Sequence, residues 1–270
     1  MCVSISSIGR VDSAAPAMIK YHGTPIGGTK ADAVQALTGR FGLVPYSRPD
    51  QLSIVLQYCQ GFVLDNGAFS DWRKGYTEYR DYDGYTAWVE KLQEHPRFHW
   101  AIIPDHIAGT EAQNNAYLKR WPAHLKGVPV YHMHQPLERL LWLAQNYEIV
   151  ALGGGNGYEV LKSRAWWQRI REMMDIVCDE FGRPLCQLHG LRMLDPKVFS
   201  LLPLASGDST NVARNSGQAA RFAGTTATTR GERACLIADR IEALDSARYW
   251  RREGRQTSLL DSFYNVAQAA

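Results

Sequence analysis

The fold is decided by a short stretch in the first quarter of the chain, Gly61-Phe62-Val63-Leu64-Asp65-Asn66-Gly67. Its apolar residues predict a buried strand, and the Asn-Gly pair after Asp65 predicts a turn, because both residue types tolerate a positive φ. A carboxylate at the mouth of a buried strand is a poor choice for stability, since burying an unpaired charge is costly. We therefore interpret Asp65 as a functional acid that ends one strand of a larger sheet.

Seven further strands are predicted, and they alternate with segments whose apolar residues have helical spacing. The eight ranges are 18–22, 41–44, 62–64, 99–103, 127–131, 148–152, 184–188 and 202–205. Such alternation is typical of parallel sheets, and eight strands favour a single α/β domain, a (β/α)8 barrel of the TIM type. An open doubly wound sheet is the alternative.

The predicted domain covers residues 1–270 and includes three less regular parts. Residues 1–16 are small and polar and predict an irregular arm, and a wide insertion lies between residues 71 and 83. From residue 211 a polar loop leads to a basic C-terminal helix, predicted over 232–252.

Composition narrows the class of protein. Of 270 residues, 45% are hydrophobic and 21% charged, which is typical of a soluble globular protein with a sizeable core. The net charge of +3 is compatible with a polyanionic partner. No apolar run approaches the ~20 residues that cross a bilayer. Five dispersed cysteines without a C-x-x-C pair indicate reduced thiols, a cytoplasmic location and no cysteine-built zinc site.

Polar residues or glycines follow most of the predicted strands. They are His22, Asp65, Asp105, His132, His134, the glycines from Gly153 to Gly155, His189 and Asp208. Each of them alone is also explained as a cap or a turn. In a TIM-type barrel, however, the active site lies at the carboxyl ends of the strands, and all of these residues fall at that end.

Three interpretations of this set are open. Paired carboxylates fit chemistry at a glycosidic bond, where one acts as nucleophile while another group handles the proton. A metal-dependent hydrolase is the second, with nitrogen and carboxylate ligands from His132, His134, His189 and Asp208. The third is a barrel that binds nucleic acid without catalysis.

Four motifs resemble those of the tRNA-guanine transglycosylase superfamily, and they occur in the same order. Residues 64–69 resemble the D-S-G-[GA]-F motif of that family, and Pro104-Asp105 resembles its second strand-end aspartate. Leu152-Gly153-Gly154 resembles its base-contacting glycine pair, and residues 206–210 resemble the segment of its nucleophilic aspartate.

Two further strings are similar to the DNA-modifying branch, the DpdA-like deazaguanine transglycosylases of bacteria and bacteriophages. They are residues 21–25 and residues 131–136. The three-cysteine, one-histidine zinc site of the tRNA enzymes has no counterpart, because Cys235 is the only cysteine in that region. This departure favours DNA over tRNA as the substrate.

The resemblance implies exchange of guanine in DNA for a 7-deazaguanine such as 7-cyano-7-deazaguanine. Asp208 would attack the anomeric carbon of a flipped nucleotide, and Asp65 would take the proton from the incoming base. No metal or other cofactor is implied. The residues expected to bind the base are Asp105, Gly153, Gly154, His132, His134, Gln135, His189, His22 and Phe69.

The expected partners are DNA and the deazaguanine base, with no membrane. Phosphate contacts are expected from basic residues after the two catalytic strands. These residues are Arg73, Lys74, Arg80, Arg214, Arg221, Arg230 and Arg233. A partner protein that opens the duplex is compatible with this scheme, as is a monomer or a dimer.

Overall fold

The computed structural model describes residues 17–76 and 79–252, in which parallel strands alternate with helices. The predicted arm 1–16 and the last residues of the polar C-terminal segment lie outside this range. The strands are β1 Ile19–Gly23, β2 Phe41–Pro45, β3 Gly61–Asp65, β4 Phe98–Ile102, β5 Gly127–Val128, β6 Val130–His132, β7 Ile149–Gly153, β8 Gln187–Gly190 and β9 Ser206–Ser209. Their spatial order is β5-β4-β3-β2-β1-β9-β8-β7-β6.

The two ends of this sheet meet at residues 127–132, where only Pro129 separates β5 from β6. β5 pairs with β4, and β6 pairs with β7. The N–H of Ile103 donates to the carbonyl of Val128, and the N–H of Ala151 donates to the carbonyl of Pro129, at 2.9 Å each. One split strand thus joins both edges, which confirms the α/β fold class as a nearly closed barrel of the TIM type.

Helices surround the sheet. They are α1 Lys30–Leu37, α2 Leu52–Tyr58, α3 Ala68–Trp72, α4 Tyr82–Gln93, α5 Glu111–Arg120, α6 Leu137–Asn146, α7 Arg164–Val177, α8 Pro196–Phe199, α9 Asn211–Asn215 and α10 Arg230–Glu242, with a 3₁₀ helix at Ala219–Phe222. Thr29, Thr110 and Thr229 begin α1, α5 and α10 with capping boxes, which satisfy the first free N–H groups. Within the described part of the chain, no helix is long and apolar enough to span a membrane.

The core has two layers because side chains alternate along each strand. Tyr21, Val63 and Trp100 belong to the cluster inside the barrel, whereas Phe62 and Leu64 belong to the larger cluster between sheet and helices. A residue two positions beyond an interior residue therefore also faces the interior. This alternation decides which strand-end side chains face the mouth of the barrel.

Two predicted strands differ from the observed strands by more than one residue. The eighth strand is Ser206–Ser209 and not 202–205. The polar residues of β9 are tolerated inside the barrel because partners on β8 satisfy them, as shown below, whereas Pro203 has no N–H for a ladder. The seventh strand begins at Gln187, and Pro184 instead forms an isolated antiparallel bridge with Cys178.

The C-terminal helix is also shorter than predicted, since α10 ends at Glu242 and not at residue 252. Beyond it the chain is held by other contacts. The N–H of Trp250 donates to the carbonyl of Gly182 at 2.8 Å, and the hydroxyl of Ser246 donates to the carbonyl of Leu204 at 2.8 Å. These long-range bonds compete with helix continuation.

Replacement of Tyr85 by phenylalanine should lower the free energy of unfolding by about 1 kcal/mol, because a buried hydrogen bond is lost. The Tyr85 hydroxyl is fully buried on α4 and donates to the carbonyl of Ile102 at 2.8 Å. Urea denaturation measures the change. The matched control is Tyr58→Phe, whose hydroxyl makes no hydrogen bond with any described residue. Equal stability of the two variants would contradict a stabilising hydrogen bond from the Tyr85 hydroxyl.

Candidate functional site

A cavity of about 380 Å³ opens at the carboxyl ends of the strands. Both carboxylates predicted to be catalytic, Asp65 on β3 and Asp208 on β9, line it. Five other residues singled out from the sequence also line it, namely Phe69, His132, Gly153, Gly154 and Arg214. The barrel therefore brings together side chains that are more than 140 residues apart in sequence.

Asp208 is buried and has both oxygens engaged. His189 Nε2 lies 3.0 Å from Oδ2, and the backbone N–H of Arg192 donates to Oδ1 at 3.2 Å. His189 Nδ1 lies 2.8 Å from the hydroxyl of Ser206, and the ring packs edge-on against Trp100 with centroids 4.8 Å apart. Since Asp208 accepts from Nε2, a neutral His189 accepts from Ser206 at Nδ1.

His189 is thus a residue that orients Asp208. It is fully buried and does not line the cavity, contrary to the expected contact with the base. The correction follows from the register, because His189 faces the barrel interior one layer below the rim, opposite Ser206 of β9.

Asp65 has a different environment. Burial, and then the negative charges of Asp208 and Asp105, raise the pKa of Asp65 to about 7. The N–H of Gly67 donates to Asp65 Oδ2 at 3.2 Å, which opposes this rise without cancelling it. A carboxyl group with such a pKa both donates and accepts a proton near neutral pH.

Asp105 lies behind the cavity wall and not in it, because internal partners hold its two oxygens. The Asn66 side chain donates to Oδ1 at 2.6 Å, and His132 Nε2 lies 2.7 Å from Oδ2. Asp105 thus orients His132, which lines the cavity, whereas Asp105 itself does not, and its contact with a base stays a prediction. His132 Nδ1 is buried without a partner among the described residues.

The two glycines at the end of β7, Gly153 and Gly154, pack closely against their neighbours. A Cβ added to Gly154 would lie 2.6 Å from the backbone oxygen of Tyr158, and one added to Gly153 would lie 3.3 Å from His132 Nδ1. Main chain therefore forms this part of the cavity wall, where a side chain would displace the neighbouring backbone or His132.

Three residues expected at the site lie elsewhere. His22 faces outward from β1, and its Nε2 lies 2.8 Å from Glu242 of α10, because Tyr21 beside it takes the interior position. His134 does not line the cavity, and its Nε2 lies 3.2 Å from the carbonyl of Gly109. Burial lowers the pKa of His134. Gln135 Oε1 accepts from the backbone N–H of His132 at 3.3 Å, which leaves Gln135 outside the cavity lining.

The four side chains considered as metal ligands do not converge. His189 is paired with Asp208 and His132 with Asp105, while His134 stacks on His132 with ring centroids 5.9 Å apart. Among residues 17–76 and 79–252, no group of three or more His, Cys, Asp and Glu side chains is arranged to hold a metal ion.

Arg192 is a cavity residue that the sequence did not indicate. Its backbone has a positive φ of 61°, its N–H donates to Asp208, and its guanidinium lies 4.3 Å from the Phe69 ring centroid. Tyr158, Glu159 and Trp166 also line the cavity. The only sequence signal for Arg192 is its place two residues after Gly190, where β8 ends.

The predicted phosphate contacts divide into two groups. Arg73, Lys74, Arg80 and Arg221 are exposed, and Arg214 is exposed at the cavity. Two others instead bond to carbonyls of α9 and of the residue that follows it. Arg230 donates to the carbonyl of Ala213 at 3.2 Å, and Arg233 donates to that of Ser216 at 2.8 Å.

Comparisons of the chain with protein-family models, with curated proteins and with solved structures found no match. The resemblance seen in the short motifs therefore rests on those motifs alone, and the function has to be argued from the site.

The raised pKa of Asp65 makes folding stability depend on pH. Between about pH 4 and 7 the unfolded chain releases this proton while the folded chain keeps it, so the free energy of unfolding falls as pH rises. Asp65→Asn removes the ionisable group and with it this decrease in the free energy of unfolding. The stability of Asp65→Asn relative to the unmodified protein should therefore rise by roughly 3 kcal/mol from pH 4 to pH 8.

Denaturant unfolding at a series of pH values measures this difference. The matched control is Asp83→Asn, at a carboxylate that is 86% exposed. A relative stability of Asp65→Asn that is the same at both ends of the pH range would show that Asp65 titrates normally.

Proposed function

We propose that the protein is a base-exchanging transglycosylase, which replaces guanine in DNA by a 7-deazaguanine such as 7-cyano-7-deazaguanine. The observation that carries the proposal is the pair of carboxylates in one cavity with unequal environments. Asp208 is held by His189 and the Arg192 backbone, while Asp65 has a pKa raised to about 7. Such a difference assigns one acid to bond formation and the other to proton transfer.

In the first displacement, a carboxylate oxygen of Asp208 forms a bond to the anomeric carbon as the bond from that carbon to guanine N9 breaks. Asp65, in its protonated form, gives its proton to the departing guanine. The two hydrogen bonds to Asp208 fix its orientation toward the sugar.

In the second displacement, Asp65 is the general base. It takes the proton from the ring nitrogen of the 7-deazaguanine, which attacks the anomeric carbon and releases the Asp208 carboxylate. Two inversions restore the original configuration, as in retaining double-displacement enzymes. The proton removed in this step replaces the one lost in the first, so the enzyme returns to its starting state.

The shape and polarity of the cavity support a flat heterocycle as the ligand. Its volume is within the range of small-molecule sites, and the rings of Phe69 and Trp166 form part of the wall. His132 Nδ1 accepts a hydrogen bond when Nε2 donates to Asp105, which suits the N–H groups of a guanine-like base. The main chain at Gly153 and Gly154 allows a close approach to the base.

Positive charge at the rim supports a nucleic-acid substrate. Arg48, Arg192 and Arg214 line the cavity together with one exposed acid, Glu159, so positive charge predominates at its mouth. A target guanine has to leave the base stack to reach Asp208, and phosphate contacts hold a strand in that position.

Duplex and single-stranded DNA incubated with the protein and 7-cyano-7-deazaguanine should acquire the deazaguanine, as measured by digestion and mass spectrometry. Asp208→Asn should abolish incorporation, because the amide does not form the covalent bond. Asp65→Asn should reduce it at least ~100-fold through loss of proton transfer. Asp83→Asn, an exposed change of the same kind, should retain full activity.

Full exchange by Asp208→Asn would contradict the assignment of the nucleophile. Binding of DNA with no exchange under any condition would instead favour the non-catalytic interpretation. Incorporation into RNA but not DNA would show that the sugar preference has been assigned wrongly.

A further inference from the structure

A second surface, outside the catalytic cavity, has the chemistry of a nucleic-acid-binding groove. It is an open depression of about 930 Å³ along the outer face of α7. We call it the arginine groove, and its walls are Arg164, Trp167 and Arg171 of α7, Ser200 and Leu201 after α8, and residues 247–251. We propose that the arginine groove binds a single strand of nucleic acid beside the cavity.

The charged side chains that line the groove are all arginines. Arg164, Arg248 and Arg251 are exposed and make no hydrogen bond or ion pair with any residue that the structure describes. No Asp or Glu is among the described residues that line the groove. Unpaired guanidinium groups on one surface repel each other, so they favour an anionic partner that carries several charges.

Aromatic rings alternate with these cations. Tyr249 is 42% exposed, and Trp167 and Trp250 are half-buried in the groove wall. Arginines that contact phosphates, together with rings on which bases stack, are the combination that binds single strands without sequence preference. An acidic polypeptide would use the charges but offers no base to stack on the Tyr249 ring, whose centroid lies 5.8 Å from the Arg183 guanidinium.

The segment that carries these groups is fixed although it is not helical. Trp250 Nε1 donates to Asp175 Oδ1 at 2.7 Å, and Arg252 donates to the same oxygen at 3.3 Å. With these two side chains turned toward α7, Arg248, Tyr249 and Arg251 are left at the surface. A preorganised segment binds with a smaller loss of conformational entropy than a mobile one.

The groove and the cavity share a wall. Trp166 lines the cavity and Trp167 lines the groove, with their ring centroids 4.9 Å apart. The two surfaces therefore adjoin near the start of α7. This inference goes beyond the proposed base exchange, since it concerns binding at a separate surface that can be measured without catalysis.

The test is fluorescence anisotropy of a labelled oligo(dT) of about 12 nucleotides, a length close to the site size of single-strand binders. Arg248→Glu/Arg251→Glu should raise Kd about tenfold or more and make the slope of log K against log salt shallower by about 1.4. The control, Lys119→Glu/Arg240→Glu, changes the net charge equally on exposed residues away from the groove. It should bind as the unmodified protein does.

Ring contacts are tested at the exposed tyrosine. Tyr249→Ala should raise Kd about fivefold through loss of stacking, while Tyr249→Phe should retain the original affinity. Asp208→Asn should also bind normally, because oligo(dT) contains no guanine for the cavity, and this outcome separates groove binding from the proposed exchange.

Four results would overturn the proposal. They are unchanged affinity in Arg248→Glu/Arg251→Glu, equal weakening in the control pair, loss of binding in Asp208→Asn, and competition by poly-glutamate as effective as that by unlabelled oligo(dT). The last would assign the groove to an acidic polypeptide.

Discussion

The closure of the barrel at residues 127–132 is the constraint on which the site depends. Carbonyls on both sides of this split strand accept hydrogen bonds, one from β4's end at Ile103 and one from β7 at Ala151. The closure brings Asp105, three residues after the end of β4, and Gly153, the last residue of β7, to either side of His132. An open sheet would leave β4 and β7 at opposite edges, and this part of the cavity wall would not exist.

The local electrostatic environment differs among the acids at this end of the barrel. Asp105 and Asp208 each have a histidine and a second donor, whereas among the described residues Asp65 has one donor, a backbone N–H. Burial, and then the negative charges of Asp208 and Asp105, raise the pKa of Asp65 to about 7, and the one N–H that donates to it does not offset them. The same repulsion that costs stability provides a proton donor and acceptor beside a carboxylate that is oriented for attack.

Sequence patterns predicted the barrel and both aspartates that line the cavity because these depend on local features. Short apolar runs, glycine turns and an acid at the strand end are all readable along the chain. The orientations of His22, Asp105 and His189 could not be predicted from the sequence, since they depend on strand register and on partners far away in sequence. The same holds for β9, whose polar residues are satisfied by β8, and for Arg192, which reaches the site through a positive φ. The end of α10 was missed because its competing contacts come from Gly182 and Leu204.

The proposed roles depend on electrostatic coupling between Asp65 and Asp208. NMR titration of the aspartate carboxyl carbons, in the unmodified protein and in Asp208→Asn, measures this coupling. We expect a midpoint for Asp65 near pH 7 that moves to lower pH when the charge at residue 208 is removed. A midpoint near that of an ordinary aspartate, or one that is the same in both proteins, would contradict it.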